Sequence, residues 1–195
     1  MIKIRMILIS VICSLTIAMS CDVLSSALSL VNCKYEIAGL STPSIAGISL
    51  NNVQNINNLN PVSLLKVSSA IMAGNLPLSV TVNVNATNPN NTIAQIEGLE
   101  WAVDLENKTM FTGMVANRVT VPANGGQTII PLSIQVDLMD ILKGESKDNI
   151  LSFVQGVLNV GESSSKVSFR VKPSIMIGGQ KLSTGFITLS KNVGK

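Results

Sequence analysis

The chain has 195 residues with a net charge of +3, and its side chains are 46% hydrophobic but only 3% aromatic. It contains no histidine, which excludes Ser-His-Asp and Cys-His arrangements, histidine metal sites and the usual general base near neutral pH. One tryptophan, one tyrosine and four phenylalanines leave little for stacking on sugars or bases, and the mixed charge gives no electrostatic footprint for nucleic acid.

In chain order, the first feature is Lys3 and Arg5 ahead of an apolar run, Met6 to Met19, broken only by Ser10, Ser14 and Thr16. A bilayer span needs about 20 apolar residues, so the run is too short to cross and has the length of the apolar part of a secretory signal. Its close, Ala18-Met19-Ser20-Cys21, resembles the lipobox of bacterial lipoproteins. That resemblance implies a signal peptide over residues 1–20, lipidation at Cys21, and a lipidated N-terminus and short tether over 21–33. Ala18-x-Ser20 also fits ordinary signal cleavage, which would leave Cys21 able to pair with Cys33. Removal of residues 1–20 leaves 175 residues with a net charge of +1, enough for one domain, expected over 34–195. On the lipidated reading a disulfide framework is excluded, and Cys33 reads as a small half-buried apolar residue beside the first strand.

Leu24, Ala27 or Leu28, and Val31 recur at helical spacing, so the tether can form a short amphipathic helix. Residues 22–33 reach ~40 Å extended and ~18 Å helical, which keeps the domain close to its membrane. Asp22 after the cysteine resembles the inner-membrane retention signal of enteric bacteria, and other bacteria read that position differently. The expected location is the bacterial cell envelope, with the outer membrane favoured over the inner.

Beyond the tether the pattern has period two. Leu78, Val80, Val82, Val84 and Ala86 alternate with Ser79, Thr81, Asn83, Asn85 and Thr87; Leu99, Trp101, Val103 and Leu105 alternate with Glu100, Ala102, Asp104 and Glu106. Thr128 to Leu138 and Val167 to Val171 repeat it, while Tyr35–Leu40 and Ala46–Val53 are weaker strands. Strands with one apolar and one polar face predict an all-β fold, an antiparallel β-sandwich. Asn124-Gly125-Gly126 should close a hairpin from the 115–121 strand into the strand beginning near Thr128, and Gly178-Gly179 should close another. Pro131 within its strand marks an edge or a bulge. Two short helices interrupt the strands. Pro61–Ala73 places Leu64, Val67, Ala70 and Ile71 on one face with Gly74 beyond its end, and Ser146–Val154 has Ser146 as its cap.

The run from Val80 to Asn90 ending in Asn88-Pro89-Asn90, followed by Ile93, Ile96, Val103-x-Leu105, Gly113, Val121 to Gly126 and Ile130-Pro131-Leu132-x-Ile134, resembles the late embryogenesis abundant type 2 (LEA type 2, or WHy) domain. Gly156-x-Leu158-x-Val160 and Gly185-Phe186-Ile187-x-Leu189 look like its last strands. The resemblance implies a sandwich of immunoglobulin or fibronectin III type and an association with stress protection, and it brings no catalytic residues.

Glu97, Glu100, Asp104 and Glu106 could suggest paired carboxylates, but the last three share one strand face, expected to be solvated. Trp101 falls on the buried register and is expected in the core, and Met72, Met110, Met114, Met139 and Met176 are expected to fill core rather than line a groove. The sequons at Asn85, Asn90 and Asn107 read as chance. The expectation is therefore a non-catalytic, membrane-tethered envelope lipoprotein, a protective or protein-interaction module. It carries no cofactor or metal, and Cys21 is its one assigned site. Its partners are the membrane, through the lipid, and an envelope protein. The alternative is a carrier or sensor of an apolar ligand such as lipid.

Overall fold

The computed structural model describes residues 32–51, 59–143, 146–159, 167–177 and 179–191. The apolar N-terminal run, Cys21 and the tether to Val31 lie outside the described residues, as do Val53, Val160 and Gly178. Two five-stranded sheets and a two-stranded ribbon form the fold, an all-β sandwich with few short helices.

The strand β3, Pro77–Asn88, is the spine of the first sheet. Its Leu78, Val80, Val82, Val84 and Ala86 are all 2% exposed or less, because alternation puts every second side chain on the face turned to the other sheet. On one side β3 pairs without a break with β8, Gly126–Asp137, from Pro77 opposite Asp137 to Asn88 opposite Gly126. On the other it pairs with β1, Lys34–Ile45. Since β8 is the sheet's outer strand, Pro131 sits where its missing N–H breaks no ladder, as the sequence predicts.

The weak signal at the start of the domain has a local cause. β1 runs twelve residues, five beyond the expected end at Leu40, and its register slips between Ile37 and Gly39 and again between Ser41 and Ser44, where Thr42 takes φ +50°. Each slip breaks the alternation that would have announced a strand. Of the expected Ala46–Val53 strand, β2, Ile48–Ser49, is the part that forms among the described residues, folded back on the end of β1.

The second sheet is built on β5, Gly98–Leu105, flanked by β6, Lys108–Val115, and β9, Val167–Ile177. β10, Gln180–Ser183, returns along β9 through the predicted glycine turn, with Gly179 at φ +81°. β11, Ile187–Thr188, continues along the same edge. The chain then changes sheet. Leu189 is buried, its N–H donates to the Phe169 carbonyl at 2.8 Å, and β12, Ser190–Lys191, joins β1 in the only parallel pairing among the described strands. The closing Gly185 to Leu189 motif therefore stitches one sheet to the other.

One expected hairpin is corrected. β6 stops at Val115, and β7, Val119–Val121, pairs with β4, Ala94–Ile96, in a separate two-stranded ribbon rather than with β8. The turn itself forms as predicted, with Asn124 and Gly125 both at positive φ. It docks on Asn88-Pro89-Asn90: the Asn124 N–H donates to the Asn90 carbonyl and the Gly125 N–H to the Asn88 carbonyl, each at 2.7 Å. The Asn88 side chain is fully buried. Its Nδ2 donates to the carbonyls of Thr92 (2.8 Å) and Val121 (3.2 Å), and its Oδ1 accepts from the backbone and side-chain nitrogens of Asn90. One amide thus joins the end of β3, the lead into β4 and the exit of β7. Asn88→Ala would orphan several of these buried groups at once and should cost about 2 kcal/mol in chemical denaturation; a loss within experimental scatter would show that the junction is held by other contacts.

The helices follow their caps. In α1, Pro61–Met72, the Asn60 side chain accepts from the Ser63 N–H at 2.8 Å, Val67 is buried, and Gly74 at φ +72° closes the end by donating to the Ile71 carbonyl. Leu138, expected at the end of a strand, instead opens the single turn α2, Leu138–Ile141, because the Asp137 side chain accepts from the Met139 N–H. α3, Lys147–Leu158, starts at its Ser146 cap and runs four residues past the predicted end. This corrects the reading of Gly156-x-Leu158 as strand. Ile150, Phe153, Val154 and Val157 are buried at helical spacing, and Gly156 faces β9 so closely that a Cβ there would lie 2.6 Å from Val167 Cγ2.

Candidate functional site

Cys21, the assigned site, lies outside the described residues, and the nearest described element is the head of β1. There Cys33 is buried against Tyr35, deeper than the half-buried position expected of it. Burial raises the Cys33 thiol, offset in part by Tyr35, and burial also pushes the Tyr35 phenol well above its ordinary range. A thiol held protonated in the interior is a poor nucleophile, so this pair packs rather than reacts.

The carboxylates on β5 are not a solvated row. Asp104 is 3% exposed and takes both nitrogens of a fork from Arg170 on β9, Nε to Oδ2 and Nη2 to Oδ1 at 2.8 Å. Thr109 Oγ1 donates to the same Oδ1 at 2.7 Å and accepts from Arg170 Nη2 at 2.9 Å. The Arg170 guanidinium holds the Asp104 carboxyl below its usual value against the opposing effect of burial, and Asp104 in turn raises Arg170. Arg170 also sits 4.7 Å over the Phe186 ring, with Lys172 at 5.7 Å. Next along the sheet, Lys172 pairs with Glu100 at 3.3 Å, and Arg118 pairs with Glu97 at 2.7 Å. Glu106 stands in the β5–β6 turn at φ +49°, off the strand face. A carboxyl depressed by a guanidinium stays ionised near neutral pH and cannot serve as a general acid. What the cluster can do is clamp β5, β6, β9 and the segment leading to β11 together. Period-two reading placed these residues on one face, but alternation along a strand carries no information on which strand lies beside it, and so missed Arg170.

Trp101 is in the core, as expected. Its ring meets Phe111 edge-on at 6.2 Å and covers Gly113, its cross-strand neighbour. Two of the five methionines meet the core-filling expectation in part: Met110 and Met139 are partly buried and packed against the core, whereas Met72, Met114 and Met176 are exposed on three different elements. Asn85 of the first sequon is buried. Unexpected from sequence is the outer side of α1, where Val62, Leu65 and Met72 are all exposed. Among the described residues no three of Cys, Asp and Glu come together as metal ligands would, and no helix is long and apolar enough to cross a membrane.

No protein-family model and no curated protein matches the chain. Among solved structures it is similar to a crystal structure of a protein from Archaeoglobus fulgidus, at 13% identity over 60% of this chain and 87% of that one, with a TM-score of 0.33. It is also similar to the solution structure of a protein described as late embryogenesis abundant, at 11% identity over 94% of this chain and 86% of that one, with a TM-score of 0.38. At these scores neither similarity carries an argument.

Proposed function

We propose that the protein is a lipid-anchored, non-catalytic module of the bacterial cell envelope, a β-sandwich of LEA type 2 kind that protects or contacts other envelope components under stress. The observation that carries the reading is the order of its parts: a basic start, an apolar run of signal length, Ala18-Met19-Ser20-Cys21, and a short tether ending at the first strand. The LEA type 2 assignment rests on the motif pattern from Val80 to Ile134, and two of those motifs, Asn88-Pro89-Asn90 and the Asn124-Gly125 turn, serve as structural joints. The reading without catalysis rests on a histidine-free chain in which Glu97, Glu100 and Asp104 are each ion-paired.

Cys21→Ser tests the anchor. Each buried CH₂ of an acyl chain contributes ~0.8 kcal/mol, so several chains make attachment durable, and their loss should move a still-folded protein from the membrane to the soluble fraction. A wild-type N-terminal peptide without lipid mass, or one in which Cys21 is disulfide-bonded to Cys33, would overturn the reading.

A further inference from the structure

We infer that the outer side of α1 is a membrane-contacting face, seated on the bilayer to which the tether leads. Val62 is 66% exposed, Leu65 70% and Met72 89%. At 100° per residue these three fall within one arc of the helix, together with Ser69 and Lys66, on the side opposite buried Val67. A helix that is apolar on both sides needs a second apolar neighbour. The inference rests on the tethered reading of the chain.

Three features select a bilayer as that neighbour. First, charge: from Ile37 to Ile96, a stretch containing β3 and all of α1, Lys66 is the single charged residue, so no carboxylate near the helix in sequence would be forced against anionic headgroups, and the one charge present suits them. Second, area: three side chains fall well short of the ~800 Å² per partner buried in a stable protein interface, so a protein held here by this patch alone would not stay. A weak apolar contact is enough where a covalent lipid already holds the domain at the surface, because the second contact is then intramolecular in effect. Third, reach: β1 spans ~40 Å from its tethered end to the end near which α1 joins β3, and twelve tether residues reach ~40 Å when extended but ~18 Å when helical, so α1 touches the bilayer with Cys21 anchored in it when the tether is extended.

The test uses the full chain purified from bacterial membranes and reconstituted with vesicles of phosphatidylethanolamine and phosphatidylglycerol. A Leu65→Trp variant places an indole on the face, and brominated lipids should quench at least half of its emission; Trp101, inside the sandwich, supplies a background measured in the wild type. Adding Val62→Glu and Met72→Glu to that variant should abolish the quenching while flotation with the vesicles persists through Cys21. An indole left unquenched in protein that floats overturns the inference and leaves the anchor intact. If instead the wild type carries no lipid and does not float, the anchor fails, and quenching at high vesicle concentration still decides the helix: its presence upholds the contact and its absence removes it.

Discussion

Gly113→Ala should destabilise the domain by about 3 kcal/mol, at the upper end of what overpacking a core position costs. The cause is geometric. Gly113 lies directly across from Trp101 in the β5–β6 pairing, and a Cβ built on it would stand 2.1 Å from one carbon of the indole and 2.4 Å from the next. The indole cannot simply swing aside, since Phe111 meets it edge-on at an interplanar angle of 87° and its far side is core. Trp101→Ala removes the ring and should cost about 3–5 kcal/mol through lost burial and the cavity left behind. The decisive measurement is the double variant. With the indole gone the alanine methyl has room, so Gly113→Ala/Trp101→Ala should be no less stable than Trp101→Ala alone, a coupling of about the full single-site cost. Additive losses in urea denaturation would mean that Gly113 is needed for its backbone and not for the ring above it. The native indole emission should also shift red on unfolding, as for a buried tryptophan.

Gly113 shows what a sequence can and cannot disclose about this fold. The period-two runs of β3, β5 and β8 made the sandwich legible, and so did the proline, asparagine and glycine punctuation around α1 and the Asn124-Gly125 turn, because each signal is local and each residue's preference agrees with its final place. What stayed hidden is pairwise. That Gly113 is the floor for Trp101, that Arg170 reaches Asp104 across sixty-six positions of sequence, and that β7 joins β4 and not β8 are facts about neighbouring strands, which alternation within one strand does not encode. β1 was blurred for a different reason, its two register slips. The end of α3 is hard to read because Val157 and Leu158 suit a strand as well as a helix, and Gly156 has the look of a breaker although it is fitted to Val167. The candidate site is legible only as chemistry at Cys21, whereas the exposed apolar side of α1 is not, since helical spacing singles out Leu64, Val67, Ala70 and Ile71 as one apolar face and leaves Val62, Leu65 and Met72 unassigned.

Asp104→Asn should lower stability near neutral pH by about 2–3 kcal/mol, below the usual penalty for breaking a fully buried pair because Arg170 keeps some contact with water. The variant retains the shape and the oxygen that Thr109 uses, but a neutral amide cannot hold the guanidinium, and Phe186 loses the fixed cation over its ring. The pH dependence follows from the direction of the shift. Arg170 holds the folded-state carboxyl below its unfolded value of about 3.9, so the folded protein binds fewer protons there than the unfolded chain does. The stabilisation is then fully present above the unfolded value and fades as the pH falls through the folded one. Wild type should lose its advantage over Asp104→Asn only in that acid range, with little change between weakly acidic and neutral buffer, and added salt should erode it little because the carboxylate is shielded from solvent. The exposed Asp140–Lys143 pair supplies the contrast: both side chains are more than 70% exposed, and Asp140→Asn should be nearly silent under the same conditions. Equal stabilities of wild type and Asp104→Asn near neutral pH, or a gap that does not narrow in acid, would show that the fork between β5 and β9 is not what holds the C-terminal segment to the second sheet.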